Sequence, residues 1–313
     1  MRDQPRYEPQ PPPARTPATS LFDAEFLRKL ELLEILFRRN TVGRREGDRP
    51  GQQRGGRSEF ADYREYTPGD DLRTIDWNVY ARTARLFVKE FTKHETATVC
   101  VLFDASASMG FGQPRKIDHA RRLAAAFAYL ALAGGNEAQL GAFAADEVRW
   151  SPRFAGKPDV RPLAEFLDPI QPAGPTHMFG ALRAFADRLP ERALLIVVSD
   201  LLDEGDGHAA PRRALRQLAA RGHDLAVIHL LSPQELHPPA IGPVRLADCE
   251  TGEGESLEVD AAALRLYADR LNAFCEGWRS FCERHDVRYV QASTAESFEQ
   301  CVLDTLRKGG LVR

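Results

Sequence analysis

The fold is decided by residues 98–110, which read Thr98-Val99-Cys100-Val101-Leu102-Phe103-Asp104-Ala105-Ser106-Ala107-Ser108-Met109-Gly110. The apolar run that opens this stretch is typical of a strand covered on both faces, as in a parallel sheet. An acid and two hydroxyls, Asp104, Ser106 and Ser108, follow at alternate positions where the strand should end. Because alternate side chains of extended backbone point the same way, these three are expected to converge above the carboxyl edge of the sheet. Open α/β sheets bind ligands at that edge.

Three hard oxygens gathered at one sheet edge indicate a small divalent cation. The stretch by itself leaves an ordinary serine-rich turn open as the alternative, so further oxygens should come from other strand ends. Thr176 follows Ala173-Gly174-Pro175 and directly precedes a predicted helix, and Asp200 comes directly after a buried strand. The five side chains Asp104, Ser106, Ser108, Thr176 and Asp200 therefore predict a Mg²⁺ site, with Mn²⁺ or Ca²⁺ as alternative ions.

From residue 98 onward, strand patterns alternate with helix patterns. The predicted strands are residues 98–104, 137–144, 193–199, 224–231 and 287–291. The predicted helices are residues 117–133, 159–168, 178–189, 209–221, 261–285 and 297–308. Hairpin strands are predicted at 148–150, beside 137–144, and at 244–246 with 257–259. Strands separated by helices require right-handed crossovers, so the predicted fold class is α/β, with a Rossmann-like, doubly wound and mainly parallel sheet.

The chain before residue 96 divides into a lead and an N-terminal region. Residues 1–20 are rich in proline and are expected to be a disordered lead. Residues 21–95 are expected to hold an amphipathic helix over 22–39, an arginine- and glycine-rich loop over 38–57, and a small β region with a strand at 86–91. The loop is a candidate for binding phosphate or an acidic partner, with a solvated loop as the alternative. Residues 96–313 are predicted to form the main domain.

The composition argues against a nucleic-acid-binding, secreted or membrane-spanning protein. The 313 residues carry a net charge of -3, which gives no basis for bulk nucleic-acid binding. Five cysteines, none of them in a Cys-x-x-Cys pair, indicate reduced thiols in a cytoplasmic protein without a secretory leader. No stretch approaches the ~20 apolar residues that cross a bilayer, so no membrane span is expected. The chain also lacks the Gly-x-x-x-x-Gly-Lys-Ser/Thr pattern of a phosphate-binding loop.

The five predicted ligands resemble the metal-ion-dependent adhesion site of von Willebrand factor A domains. In that resemblance Asp104, Ser106 and Ser108 supply the first motif, Thr176 the second and Asp200 the third.

A second resemblance covers residues 25–310 and is carried by an upstream segment. That segment reads Arg64-Glu65-Tyr66-Thr67-Pro68-Gly69-Asp70-Asp71-Leu72-Arg73-Thr74-Ile75-Asp76-Trp77. Together with the strand-end serines, it is similar to the bacterial family named domain of unknown function 58. The resemblance implies a von Willebrand factor A-like fold and a MoxR-type AAA ATPase as partner. Many members of that family carry N-terminal membrane helices, and this sequence departs from them by showing none.

Two functions from different classes follow from these patterns. The first is a metal-dependent protein-interaction (adaptor) module, in which the bound Mg²⁺ accepts an acidic residue of a partner and nucleotide hydrolysis is left to an ATPase. The alternative is a metal-dependent, phosphatase-like hydrolase with Asp104 as nucleophile. Aspartyl-phosphate chemistry commonly uses a second acid two residues later, where this chain has Ser106, so a non-enzymatic module without catalytic residues is favoured. Nucleic-acid binding by loop 38–57 is disfavoured, because no aromatic residues interleave with its arginines.

Overall fold

A computed structural model describes most of the chain. It describes residues 22–42, 58–93, 97–145, 147–155, 160–189, 192–203, 208–238, 242–247, 249 and 254–308. The predicted proline-rich lead and residues 43–57 of the predicted arginine- and glycine-rich loop lie outside these ranges.

The elements follow the predicted order closely. The helices are α1 (Ala24–Val42), α2 (Trp77–Thr83), α3 (Lys116–Ala133), α4 (Val160–Leu167), α5 (Met178–Arg188), α6 (Ala209–Ala220), α7 (Pro233–Leu236), α8 (Ala261–Arg284) and α9 (Phe298–Lys308). The strands are β1 (Ser58–Glu65), β2 (Phe87–Lys93), β3 (Thr98–Asp104), β4 (Glu137–Ala144), β5 (Glu147–Trp150), β6 (Ala193–Ser199), β7 (Asp224–Leu231), β8 (Gly242–Ala247), β9 (Gly254–Val259) and β10 (Arg288–Ser293). Short 3-10 helices cover Leu72–Thr74 and Ala107–Gly110.

Six strands form the main sheet within the described residues, in the order β10-β7-β6-β3-β4-β5. Its strands are parallel except for β5, which runs antiparallel to β4 at the edge. The chain leaves β3 toward β4 on one side, and later returns to β6 on the other side. The strand order therefore reverses between β3 and β6, and the predicted doubly wound, mainly parallel sheet is confirmed.

Both faces of the sheet are covered by helices. On one face, Val101 and Phe103 of β3 pack into a core to which α1, α3, α4 and α9 contribute. On the other face, Cys100 and Leu102 pack with side chains of α5, α6 and α8, among them the fully buried Trp278. Alternate residues of β3 thus enter opposite cores, which is why this strand reads as a continuous apolar run.

The N-terminal region contains a small β layer of its own. Strand β2 pairs antiparallel with β1, which the sequence patterns did not predict, and Ile75 bridges to Val88 beside this pair. Asp76 caps α2 by accepting hydrogen bonds from the backbone N–H groups of Asn78 and Val79 at 2.9 and 3.2 Å. Its second oxygen accepts the Tyr63 hydroxyl at 2.9 Å, so the acid ties α2 to β1.

Candidate metal centre

Two buried aspartates lie at the point where the strand order reverses. Asp104 is the last residue of β3, and Asp200 directly follows β6. Because β3 and β6 are parallel neighbours, with Phe103 beside Val198, their carboxyl ends meet at one edge of the sheet. Neither aspartate is exposed to solvent. The two acids therefore lie at the same edge of the sheet, as the sequence predicted.

Asp104 is held by one group from the loop after β3 and one from the end of β6. The backbone N–H of Ser106 donates to its Oδ1 at 2.9 Å, and the hydroxyl of Ser199 donates to its Oδ2 at 2.7 Å. Ser199 is the last residue of β6 and was not among the predicted ligands. The serine-aspartate pair at a strand end is the sequence signal that would have drawn attention to it.

The two strand-end serines reach the site by a turn of the backbone. We expected extended backbone through Ser108, and this expectation is wrong, because a 3-10 helix begins at Ala107. The turn places the Ser108 hydroxyl 3.1 Å from that of Ser106, and the Ser108 hydroxyl donates to Asp200 Oδ2 at 2.7 Å. Asp104, both serines and Asp200 are thus joined in one cluster of oxygens.

Thr176 is buried in the loop that leads into α5. This loop is fastened to the loop after β3, because Ala173 N–H donates to Ala105 O at 2.9 Å and Ala107 N–H donates to Gly174 O at 2.8 Å. The predicted threonine therefore belongs to a segment that lies against the serine turn. His177, the next residue along the chain, is the N-cap residue of α5.

The backbone turns sharply after Asp200. Leu201 has a φ of 60°, in the left-handed region that a leucine rarely adopts. The Ser199 hydroxyl accepts the Leu201 N–H at 2.9 Å, and Asp200 Oδ1 accepts the Leu202 N–H at 3.2 Å. These bonds hold the turn and direct the Asp200 carboxylate back over the sheet edge.

A lysine and a glutamate complete the cluster, and the sequence patterns did not point to either of them. The Lys116 ammonium donates to Asp200 Oδ2 at 2.7 Å and to Glu235 Oε1 at 2.5 Å. Lys116 is the first residue of α3 and is fully buried, and Glu235 lies in α7 after β7. Ser232 and Glu235 form a capping box, a pattern that the sequence does display as Ser-x-x-Glu.

The electrostatics of the cluster show an excess of acid. Burial, together with the charge of Asp200, raises the pKa of Asp104 to about 7, although the bonds from Ser106 and Ser199 lower it. Burial alone would lower the pKa of Lys116, but the carboxylates of Asp200 and Glu235 outweigh this and raise it. Among the described residues of this cluster, three carboxyl groups thus face a single ammonium, and a proton on Asp104 relieves part of the imbalance.

The donor set fits a hard divalent cation. The predicted ligands supply only carboxylate and hydroxyl oxygens, which Mg²⁺ prefers, and the surplus of acid would be neutralised by an ion. No group of three or more His, Cys, Asp or Glu side chains in the described part of the chain is arranged to hold a metal. A metal site here therefore depends on the hydroxyls of Ser106, Ser108 and Thr176 as well as on the two aspartates.

The sequence is similar to a family of proteins and to individual mycobacterial proteins. A sequence model of the family described as protein of unknown function DUF58 matches residues 62–273. Uncharacterized proteins of Mycobacterium bovis and Mycobacterium tuberculosis are each 32% identical over 248 residues, covering 77% of this chain and 76% of theirs.

The protein is also similar in structure to proteins of known structure. The conserved hypothetical protein BatB from Bacteroides thetaiotaomicron is 15% identical, with a TM-score of 0.43 over 69% of this chain and 99% of that one. The von Willebrand factor A domain of SpRpn10 is 10% identical, with a TM-score of 0.43 over 69% of this chain and 97% of that one. Within the described residues, no helix combines the length and apolar character that crossing a membrane requires.

Proposed function

The chain belongs to the DUF58 family, and on that premise we propose that it is a metal-dependent protein-interaction module. The observation that carries the proposal is the oxygen cluster at the ends of β3 and β6. Asp104, Ser106, Ser108 and Asp200 are linked there by hydrogen bonds, at the sheet edge where the strand order reverses. Thr176, in the adjoining loop, is the fifth proposed ligand of Mg²⁺, with Mn²⁺ or Ca²⁺ as alternatives.

The chemistry of this donor set suits binding of an acidic partner. The two aspartates would balance the charge of a bound divalent ion. Because the hydroxyl ligands are neutral, the bound ion could still attract a further carboxylate. The proposed partner is an acidic residue of another protein, and the family resemblance favours a MoxR-type AAA ATPase as that protein. The chain itself carries no phosphate-binding loop motif, which is consistent with leaving nucleotide hydrolysis to the partner.

The hydrolase alternative is favoured by one observation, the buried Lys116 near the aspartates, because phosphoryl-transfer sites use a lysine to neutralise phosphate. Its ammonium, however, is bonded to Asp200 and Glu235. The nucleophile of this alternative, Asp104, is fully buried, and its raised pKa leaves part of the carboxyl protonated near neutral pH, which lowers the fraction present as nucleophilic carboxylate. These features favour the interaction module over the hydrolase.

The proposal is tested in two stages with wild type, Asp104→Ala and the control Asp269→Ala, which changes an exposed acid on α8. Titration calorimetry with MgCl₂ should detect binding to wild type and to the control, and none to Asp104→Ala. Capture of the MoxR-type ATPase of the same organism should then require Mg²⁺ and intact Asp104. Capture that persists in EDTA, or in folded Asp104→Ala, contradicts the proposal, and release of phosphate from p-nitrophenyl phosphate that depends on Asp104 would favour the hydrolase.

A further inference from the structure

Lys116 is the feature of the site that the proposed function does not use. Its side chain is 1% exposed, and a lysine buried to this degree is rare unless it is paired. The ammonium lies between Asp200 Oδ2 at 2.7 Å and Glu235 Oε1 at 2.5 Å. The ammonium of Lys116 therefore forms an ion pair with one of the proposed metal ligands, Asp200.

The two bonds of Lys116 go to acids of different kinds. Asp200 is fully buried and also accepts the Ser108 hydroxyl on the same Oδ2, so this oxygen belongs to the proposed donor set. Glu235 lies outside that set, in α7 after β7, and its side chain is 15% exposed. One end of the bridge thus lies on a proposed metal ligand, and the other end does not.

Glu235 is firmly positioned by its own surroundings. Its Oε2 accepts the Ser232 N–H at 2.6 Å, its N–H donates to the Ser232 hydroxyl at 3.2 Å, and its carbonyl accepts the Tyr267 hydroxyl at 2.8 Å. Glu235 is therefore held in place by contacts other than Lys116, so it can pair with the ammonium whether or not the bond to Asp200 is made. The ammonium stays paired in either position, so it avoids the penalty of an unpaired buried charge.

We propose that Lys116 is an internal cation that competes with the divalent ion for Asp200, and that Glu235 receives it when the ion is bound. Two positive charges at one carboxylate oxygen repel each other, so Lys116 lowers the affinity of the site for metal. Glu235 partly offsets this effect, because it draws the ammonium toward itself and adds negative charge near the site. The inference rests on the proposed function, since it assumes that Asp200 is a metal ligand.

Substitutions of Lys116 and Glu235 should change the affinity for Mg²⁺ in opposite directions. In full-length protein, calorimetric titration with MgCl₂ should show Lys116→Met binding the ion about tenfold or more tightly than wild type. Glu235→Gln should bind Mg²⁺ more weakly than wild type, because the lysine is then held by Asp200 alone. Lys29→Met, which removes a surface lysine paired with Glu25 and Glu299, should leave the affinity unchanged. Damage to the fold would weaken binding in both site variants, so the opposite signs distinguish competition from a structural role.

Equal or weaker Mg²⁺ binding by folded Lys116→Met overturns the inference. Where Lys116→Met does not fold, the double variant Lys116→Met/Glu235→Gln removes the cation together with one acid, and it should bind Mg²⁺ more tightly than Glu235→Gln alone. Equal affinity of those two variants also overturns the inference. These Mg²⁺ titrations do not depend on capture of the ATPase. Capture of the ATPase without Mg²⁺ would therefore contradict the proposed function but would not affect the conclusion about competition between Lys116 and the ion. If none of these proteins binds Mg²⁺, both proposals are wrong.

Discussion

At the scale of the residue, Asp104 is a carboxyl whose surroundings disfavour its charge. It is fully buried beside Asp200, and only Ser106 and Ser199 donate to its oxygens in the described contacts. The Lys116 ammonium is bonded to Asp200 and Glu235 instead. The site therefore holds one aspartate with a cation and one without, and the second aspartate gains most from a bound ion.

This imbalance predicts an unusual dependence of stability on pH. The pKa of Asp104 is raised to about 7 in the folded protein, above the usual value of about 3.9 for an unfolded aspartate. Stability without metal should therefore fall as pH rises from about 4 to about 7. Asp104→Asn cannot ionise, so in EDTA at pH 8 its melting temperature should exceed that of wild type, by about 2–4 °C for each kcal/mol gained.

Calorimetric melting of both proteins from pH 5 to pH 8 checks this prediction. The gap should shrink toward pH 5, where wild-type Asp104 is already protonated. Asp269→Asn, an exposed control, should follow wild type at each pH. An Asp104→Asn protein that melts below wild type in EDTA at pH 8 would show that the buried carboxylate is not destabilising.

At the scale of the element, the acids of residues 64–77 act as helix caps and turn supports. Asp71 accepts the Arg73 N–H at 3.0 Å, and Asp70 accepts the Thr67 N–H at 2.8 Å and pairs with Arg64 at 2.8 Å. Asp76 caps α2. Trp77 and Tyr80, in contrast, are 61% and 44% exposed and contact each other at a centroid distance of 6.1 Å. The segment is thus a small structured unit.

The first helix has a clearer role than its sequence showed. The sequence predicts an amphipathic helix over 22–39, but it does not show whether the apolar face packs on its own domain or on another chain. The structure packs Phe26, Leu30 and Leu33 into the core with α3 and α9, and the rings of Phe26 and Phe298 are 4.9 Å apart. The helix is therefore part of the layer that covers the main sheet.

Shortening a buried apolar side chain of α1 should lower the stability of the whole protein. Leu30 is fully buried, so Leu30→Ala should lower the free energy of unfolding by about 2–5 kcal/mol. Leu32, on the same helix, is 56% exposed, and Leu32→Ala should change it by less than about 0.5 kcal/mol. Urea unfolding curves of the two variants measure the difference. Similar values for both would mean that α1 separates from the core before global unfolding.

At the scale of the whole molecule, the site is assembled where several loops meet at one edge of the sheet. Gly112, on the loop after β3, approaches the loop after β7 so closely that a Cβ atom would lie 2.4 Å from Ser232 Cβ. Ser232 in turn forms the capping box with Glu235, the anchor of Lys116. Close packing between these loops therefore fixes the distance that Lys116 spans.

Gly112→Ala should disturb both stability and metal binding. The added methyl meets Ser232 and the backbone has a φ of 91°, so a loss of about 1–3 kcal/mol from overpacking is expected on top of the conformational penalty. Gly135→Ala is the matched control, because its φ is 79° but nothing lies within 4 Å of the added atom. It should lose only about 1 kcal/mol. Unfolding curves and MgCl₂ titrations of both variants check this, and equal effects would mean that the contact with Ser232 is unimportant.

The sequence by itself determined the sheet and the acids at its edge. Continuous apolar runs such as 98–104 and 193–199 are long enough and sufficiently β-branched to be buried strands, and helical patterns separate them. Once parallel strands are neighbours, their carboxyl ends must meet, so Asp104 and Asp200 were predictable as a pair. The caps of the upstream segment were equally local, because Asp71 and Asp76 each accept backbone N–H groups two or three residues further along the chain.

Only the tertiary structure decided which charge accompanies those acids. Lys116 and Glu235 are separated by 119 residues, and neither lies in a pattern that points to the other. Their contact depends on how α3 and the loop after β7 pack over the sheet edge, which is set by the combined geometry of the core. The turn at Ala107 is also a tertiary result, since Ala107 N–H is bonded to Gly174 in another loop. Local patterns report periodicity and burial, whereas the pairing of distant charges depends on distances that exist only after the chain has folded.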